Sequence, residues 1–131
     1  MNYSYNFDKD LKFGKQFEDA VEDVFTCRCK VEVKAERGIW QTSGNVFFER
    51  KSRGNASGID TTEADCWVTV FTDDEGISGM AAFPVKRLKA RLNELSRRGL
   101  IQIKDGGDLN SSKGWLISKE HIPFLLGFKL D

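Results

Sequence analysis

The segment Cys66–Thr72, CWVTVFT, is an almost unbroken apolar run set between a glycine- and threonine-rich loop, RGNASGIDTTEA over 53–64, and a turn over Asp73–Gly76. A strand with no polar face cannot sit at a wetted surface, so this one belongs in the middle of a sheet covered on both sides. The rest of the chain supplies the cover. Residues 10–26 predict a helix, with Leu11, Phe17, Val21 and Phe25 at helical intervals and Glu18, Asp19, Glu22 and Asp23 between them; Phe13 falls off that stripe and Gly14 weakens the first turn. Pro84 opens a second helix whose buried stripe is Val85, Leu88, Leu92 and Leu95, and Gly99 stops it.

Strand patterns fill the remainder. Lys30–Glu36 alternates, with Val31 and Val33 on one face and Glu32, Lys34 and Glu36 on the other. Asn45–Ser52 does the same, Val46 and Phe48 opposing Phe47, Glu49 and Lys51, and the loop 37–44 between the two runs suits an antiparallel pair. The loop at 53–64 has room for one helical turn at Thr61 or Thr62. Residues 77–83 return as an edge strand, and Leu100–Lys104 pairs with Gly114–Ser118 across DGGDLNSSK. Helix, strands, helix, strands over 131 residues predicts one α/β (α+β) domain, 1–131, with a central mixed sheet flanked by helices.

Composition narrows the setting. At 40% hydrophobic and 31% charged the chain is ordinary globular material. No apolar run approaches the roughly 18 residues that span a bilayer. MNYSYNFDKD lacks the basic and apolar regions of a secretory signal, so a cytoplasmic protein without a membrane partner is expected. Cys27, Cys29 and Cys66 have no histidine or second pair at zinc-site spacing and read as reduced packing residues. Net charge is zero, yet residues 28–54 hold 7 basic against 3 acidic groups and residues 86–104 hold 7 against 1. Two basic blocks in an otherwise acidic chain are the footprint of phosphate binding; a solvated basic helix is the plainer reading of the second.

The first basic block encloses two E-x-K triplets, Glu32-Val33-Lys34 and Glu49-Arg50-Lys51. In a strand each triplet sets a carboxylate beside an amine on one face. Converging carboxylates repel, and a hard divalent cation relieves that repulsion; a neighbouring lysine orients a water. E-x-K alone is a weak signal, since charged strand positions are usually a solvated face. Among the remaining candidates, Trp40 either covers the core or stacks on a base. Trp67 and Trp115 read as core, His121 as structural, and Asp65 as a loop-fixing acid rather than a metal ligand.

The succession FGKQFEDAV, VEVKAERGIWQTSGNVFFE, SRGNASGIDTTEADCWV, covering roughly residues 12–70 with a looser echo in GGDLNSSKGWLI, resembles small phage-type nucleases of the PD-(D/E)XK superfamily. The resemblance implies a restriction-endonuclease-like core and an Mg²⁺- or Mn²⁺-dependent DNA endonuclease akin to the Holliday-junction resolvases, acting on branched or structured DNA. If phage-encoded, it would work in the host cytoplasm. Carried over, Glu32 and Lys34 match the E-x-K, and Glu18 matches the helix acid. The chain departs from the pattern between residues 26 and 31, where no room remains for a hairpin bearing the usual aspartate. Either Glu22 or Asp23 takes that role, or the register shifts so that Glu32 is the first acid and Glu49 with Lys51 the E-x-K. The expected ligands are therefore Glu32, Glu49 and Glu18, with Lys34 as the catalytic amine. Arg50, Lys51, Arg53, Arg37 and Lys113, with the amides of the Arg53–Gly58 loop, are expected on phosphate. A homodimer is expected from the need for two cuts. The competing expectation is a non-catalytic nucleic-acid-binding protein, either a degenerate nuclease or a module with the helix-and-wing pattern of 84–118.

Overall fold

The computed structural model describes residues 7–26, 28–106 and 111–130. In order, the elements are helix α1 (Phe7–Phe25), strand β1 (Val31–Glu36), the single-turn helix α2 (Trp40–Ser43), β2 (Val46–Ser52), β3 (Asn55–Ala56) and a 3₁₀ turn (Gly58–Asp60). Then come β4 (Cys66–Asp73), β5 (Gly76–Pro84), α3 (Val85–Arg97), β6 (Ile103–Gly106), β7 (Ser112–Ile117) and α4 (Ile122–Leu125). The class is mixed α/β, as the patterning predicts, but the strands divide between two sheets. One is ordered β1-β4-β5, with β1 parallel and β5 antiparallel to β4; the other is antiparallel, ordered β3-β2-β7-β6.

β4 occupies the centre of the first sheet, where its continuous apolar run belongs, and β5 is the edge strand expected there. The two meet through a two-residue hairpin in which Asp73 Oδ1 accepts the Glu75 amide at 2.8 Å and Gly76 takes φ 122. The expected antiparallel pairing of β1 with β2 does not occur. β1 aligns Val31, Val33 and Ala35 with Cys66, Val68 and Val70 of β4, whereas β2 sets Val46 and Phe48 opposite Ile117 and Trp115 of β7. Each strand goes to the partner that extends its apolar face, and that gain outweighs the short loop closure between neighbours. The intervening loop contributes the turn α2, closed by Gly44 at φ 72, whose amide bonds Trp40 O at 2.7 Å. The helical turn anticipated at Thr61 or Thr62 lies earlier, at Gly58–Asp60.

α3 buries the anticipated stripe, Val85, Leu88, Leu92 and Leu95. It ends as a glycine-terminated helix should: Gly99 at φ 70 donates to Ser96 O, and Leu100 donates to Leu95 O. Leu100 is spent on that closure, which is why β6 begins at Ile103. The α3 stripe packs with Phe48, Trp67, Phe83, Trp115 and Ile117 into the main core. Each such side chain contributes about 1.5–3 kcal/mol by leaving water. Phe48 is the hub, with its ring 5.9 Å from Trp67 and 6.4 Å from Phe83.

The opposite face of the first sheet carries Cys66, Val68 and Val70, joined by Val31 and by Val24 of α1. Cys66 and Cys29 are free thiols, consistent with packing roles, and burial pushes the Cys66 thiol up. Cys27 lies outside the described residues. Among those residues no helix is long and apolar enough to cross a membrane.

Candidate functional site

The polar face of β1 (Glu32, Lys34, Glu36) is level with Trp67, Thr69 and Phe71 of β4, so it looks toward the second sheet. There it meets the non-core face of β2. A cavity of about 200 Å³ forms between them, lined by Lys34, Ala35, Glu36, Phe47, Glu49 and Ser112. The amine of one E-x-K strand and the acid of the other therefore share one cleft, although their strands belong to different sheets. Glu32 stands beside it, its Oε1 3.5 Å from Lys34 Nζ.

Glu49 is the most constrained of these groups. Its Oε1 accepts from Ser112 Oγ at 2.7 Å and its Oε2 from Ser57 Oγ at 3.1 Å. Both oxygens are thus oriented by neutral hydroxyls, which leaves lone pairs for a further partner. The approach needs glycine twice. A Cβ on Gly58, at φ 53, would collide with the Glu49 carbonyl, and one on Gly114, cross-strand from Glu49, would strike the Phe48 carbonyl and the Phe47 ring. The S-G of the Ser52–Gly58 loop consequently positions a carboxylate. Phosphate cradling by that loop is limited, because the Arg53 and Ser57 amides already donate to Ser111 O and Arg50 O.

Glu36 was legible as a third polar residue on the β1 face but not as part of the site. Its Oε1 accepts the Phe47 amide at 2.8 Å, and burial pushes its carboxyl above the ordinary 4.5 despite that bond. A raised folded-state pKa means the native protein holds this proton more tightly than the unfolded chain. The associated stability is complete below pH 4.5 and is lost as pH rises through the folded value. Glu36→Gln keeps an oxygen for Phe47 and removes the ionisation. Urea denaturation at a series of pH values should show the variant gaining on wild type as pH climbs from 4.5 toward neutrality, and parallel curves would reject this account.

The other anticipated residues separate into groups. Lys51, Arg53 and Lys113 line a cleft of about 430 Å³ with Gly54 and Ser111. Lys51 and Lys113 are directly opposed across the β2–β7 ladder, with Asp105 Oδ1 3.8 Å from Lys113 Nζ, and Arg53 holds φ 50, unusual for a residue with a side chain. Arg50 follows Val46 and Phe48 to the core face of β2: it lies 4.5 Å over the Trp115 ring and donates through Nε to both oxygens of Asp60 at 3.0 Å. Arg37 is exposed and lines a separate hollow with Ile39 and Asp105. Glu18 is exposed on α1 and lines none of these cavities.

Among the described residues no three His, Cys, Asp or Glu side chains converge as a metal-binding group. Glu32 and Glu49 with serine hydroxyls are nevertheless hard oxygen donors, and Mg²⁺ is commonly held by one or two carboxylates with water and substrate phosphate completing its shell. The donor chemistry fits on those terms.

Several residues serve the framework. Trp40 donates Nε1–H to Thr72 O at 2.9 Å and sets its ring edge-on to Phe71, so it is cover. Asp65 accepts the Lys30 amide at 3.0 Å and ties the start of β1 to β4. His121 Nδ1 lies 3.3 Å from Ser118 Oγ before α4. Trp67 and Trp115 are core, although the buried indole N–H of Trp67, level with Glu32, has no hydrogen-bond partner among the described residues. What sequence reasoning missed was Glu36, the serine donors to Glu49, and the claim of Asp60 on Arg50; these residues lie inside the recognised segments, but nothing in their spacing pointed to these contacts.

No family model, curated protein or solved structure matches the chain.

Proposed function

We propose that the chain is an Mg²⁺-dependent DNA endonuclease of PD-(D/E)XK type, with Glu32, Lys34 and Glu49 at its centre. The observation that carries this reading is the sharing of one cleft by Lys34 and Glu49 from separate sheets, with Glu32 3.5 Å from the lysine amine. Glu32 and Glu49 would hold the ion, which when bound polarises the scissile phosphate and acidifies a water. Lys34 orients that water and offsets charge on the phosphate. The two serines fix the rotamer of Glu49 in advance, so less order has to be imposed when substrate arrives. Glu18 is left out of this assignment because it lies outside the cleft. The test is incubation of supercoiled plasmid and four-way junctions with the purified chain in Mg²⁺ or Mn²⁺. Nicked or linear product is expected; intact DNA under conditions of measurable binding would overturn the proposal.

A second reading, binding without cleavage, is favoured by one observation: α3 followed by the β6–β7 hairpin has a helix-and-wing order, and the Lys51, Arg53 and Lys113 cleft lies at the end of the same sheet. Under either reading that cleft contacts phosphate. Lys113→Ala should weaken DNA binding evenly across sequences and lower the slope of log K against log salt by about 1. Fluorescence anisotropy titrations at stepped ionic strength measure this, and an unchanged slope would remove Lys113 from the interface.

A further inference from the structure

Helix α1 is amphipathic, yet its apolar side is largely uncovered. Phe13 is 67% exposed, Phe17 49%, Val21 55% and Phe25 71%, with Leu11 similarly open. Val24 on the same side packs against the outer face of the first sheet, so the stripe starts as an intramolecular contact and continues into solvent. Phe13, expected off the stripe, belongs to it: it lies one turn before Phe17 and stacks edge to face on it, 4.7 Å between centroids. Beside the helix the sheet leaves Val33 and Met80 more than half exposed. At roughly 150–250 Å² for a whole aromatic side chain, the open parts of the α1 stripe amount to on the order of 600 Å². A standard protein interface takes about 800 Å² from each partner. Contiguous apolar patches of this size mark interaction surfaces.

We infer that α1 is a dimerisation helix, paired antiparallel with α1 of a second copy of this chain. Charge selects both the partner and the direction. The first nine residues of α1, 7–15, carry three lysines and two aspartates, a net of +1. The last nine, 17–25, carry Glu18, Asp19, Glu22, Asp23 and no base, a net of −4. Parallel association would set −4 against −4. Antiparallel association sets each acidic half beside Lys12 and Lys15 of the other copy, and a twofold axis at Phe17 brings Phe13 against Val21. One self-complementary surface then covers the middle of the stripe, Phe13, Phe17 and Val21, as a twofold interface requires. The cleft between β1 and β2 lies on the other face of the first sheet and stays open in such a pair, so this inference stands apart from the proposed chemistry.

Sedimentation equilibrium on the full chain tests it. Wild type should sediment with the mass of two chains, and Phe17→Asp with the mass of one. A folding defect is separated from an interface defect by a second set that leaves the apolar stripe intact. Glu18→Lys with Glu22→Lys should dissociate the dimer, and adding Lys12→Glu with Lys15→Glu should restore it. A monomeric wild type, with α1 closed on its own sheet, overturns the inference. So does a dimer that survives Phe17→Asp, or one that the restoring pair fails to rebuild.

Discussion

Lys34→Met should lower DNA cleavage by about 10²- to 10⁴-fold, the range associated with loss of a positioned proton-handling group, while leaving the fold intact. The methionine keeps the length of the side chain and removes only the amine. Lys34 is exposed and, among the described residues, ion-paired only with Glu32, a contact worth at most about 1 kcal/mol at a surface, so stability should barely move. Glu32→Gln and Glu49→Gln should lose activity to a similar degree, because each neutralises a carboxylate that the ion would need. They differ in their effect on the protein. Glu49→Gln leaves Ser57 or Ser112 facing an amide N–H₂ in place of an acceptor and should cost about 1 kcal/mol, whereas Glu32→Gln has no comparable partner to lose. Rates come from single-turnover cleavage of labelled DNA, and stabilities from urea titration of the same preparations. Wild-type rates in Lys34→Met would sink the assignment of the site, even if the chain proves to be a nuclease.

Gly58→Ala should be the most damaging single-methyl change in the site's support, lowering stability by about 3 kcal/mol and the melting temperature by about 10 °C. Two effects add. The residue sits at φ 53, which an L side chain adopts at a penalty, and its Cβ would land on the Glu49 carbonyl. That atom is strand backbone and cannot step aside without disturbing the β2–β7 ladder. Gly54 is the internal control: it has φ 83 in the same loop, but open space surrounds its Cβ, so Gly54→Ala carries the conformational term alone, about 1 kcal/mol. Differential scanning calorimetry of the two variants reads the difference. Equal melting temperatures would show that the loop does not pack on Glu49.

The elements themselves were legible where one short-range rule governs them. The α3 stripe, its start at Pro84 and its stop at Gly99 follow from helical period and end chemistry. β4 was readable as a central strand because Cys66–Thr72 is almost continuously apolar and offers no polar face. The first charge block located Lys51 and Arg53 together because they are close in sequence, whereas Lys113, outside both blocks, joins them only through the β2–β7 pairing. Arg50, in the middle of that block, was misleading: alternation with Val46 and Phe48 carries it to the core face, and its partner Asp60 lies ten residues away.

By itself, then, the sequence determined which faces are polar and which apolar, and so put Glu32, Lys34 and Glu36 on one side of β1 and Glu49 on the outer side of β2. Side-chain alternation in a strand is a local consequence of backbone geometry and needs no partner to be read. Only the tertiary structure decided that these two polar faces meet. β1 and β2 join different sheets because distant strands match their apolar faces better than they match each other. Ser112, 63 residues from Glu49 along the chain, enters the cleft through β7 pairing, a contact that no spacing in the sequence encodes.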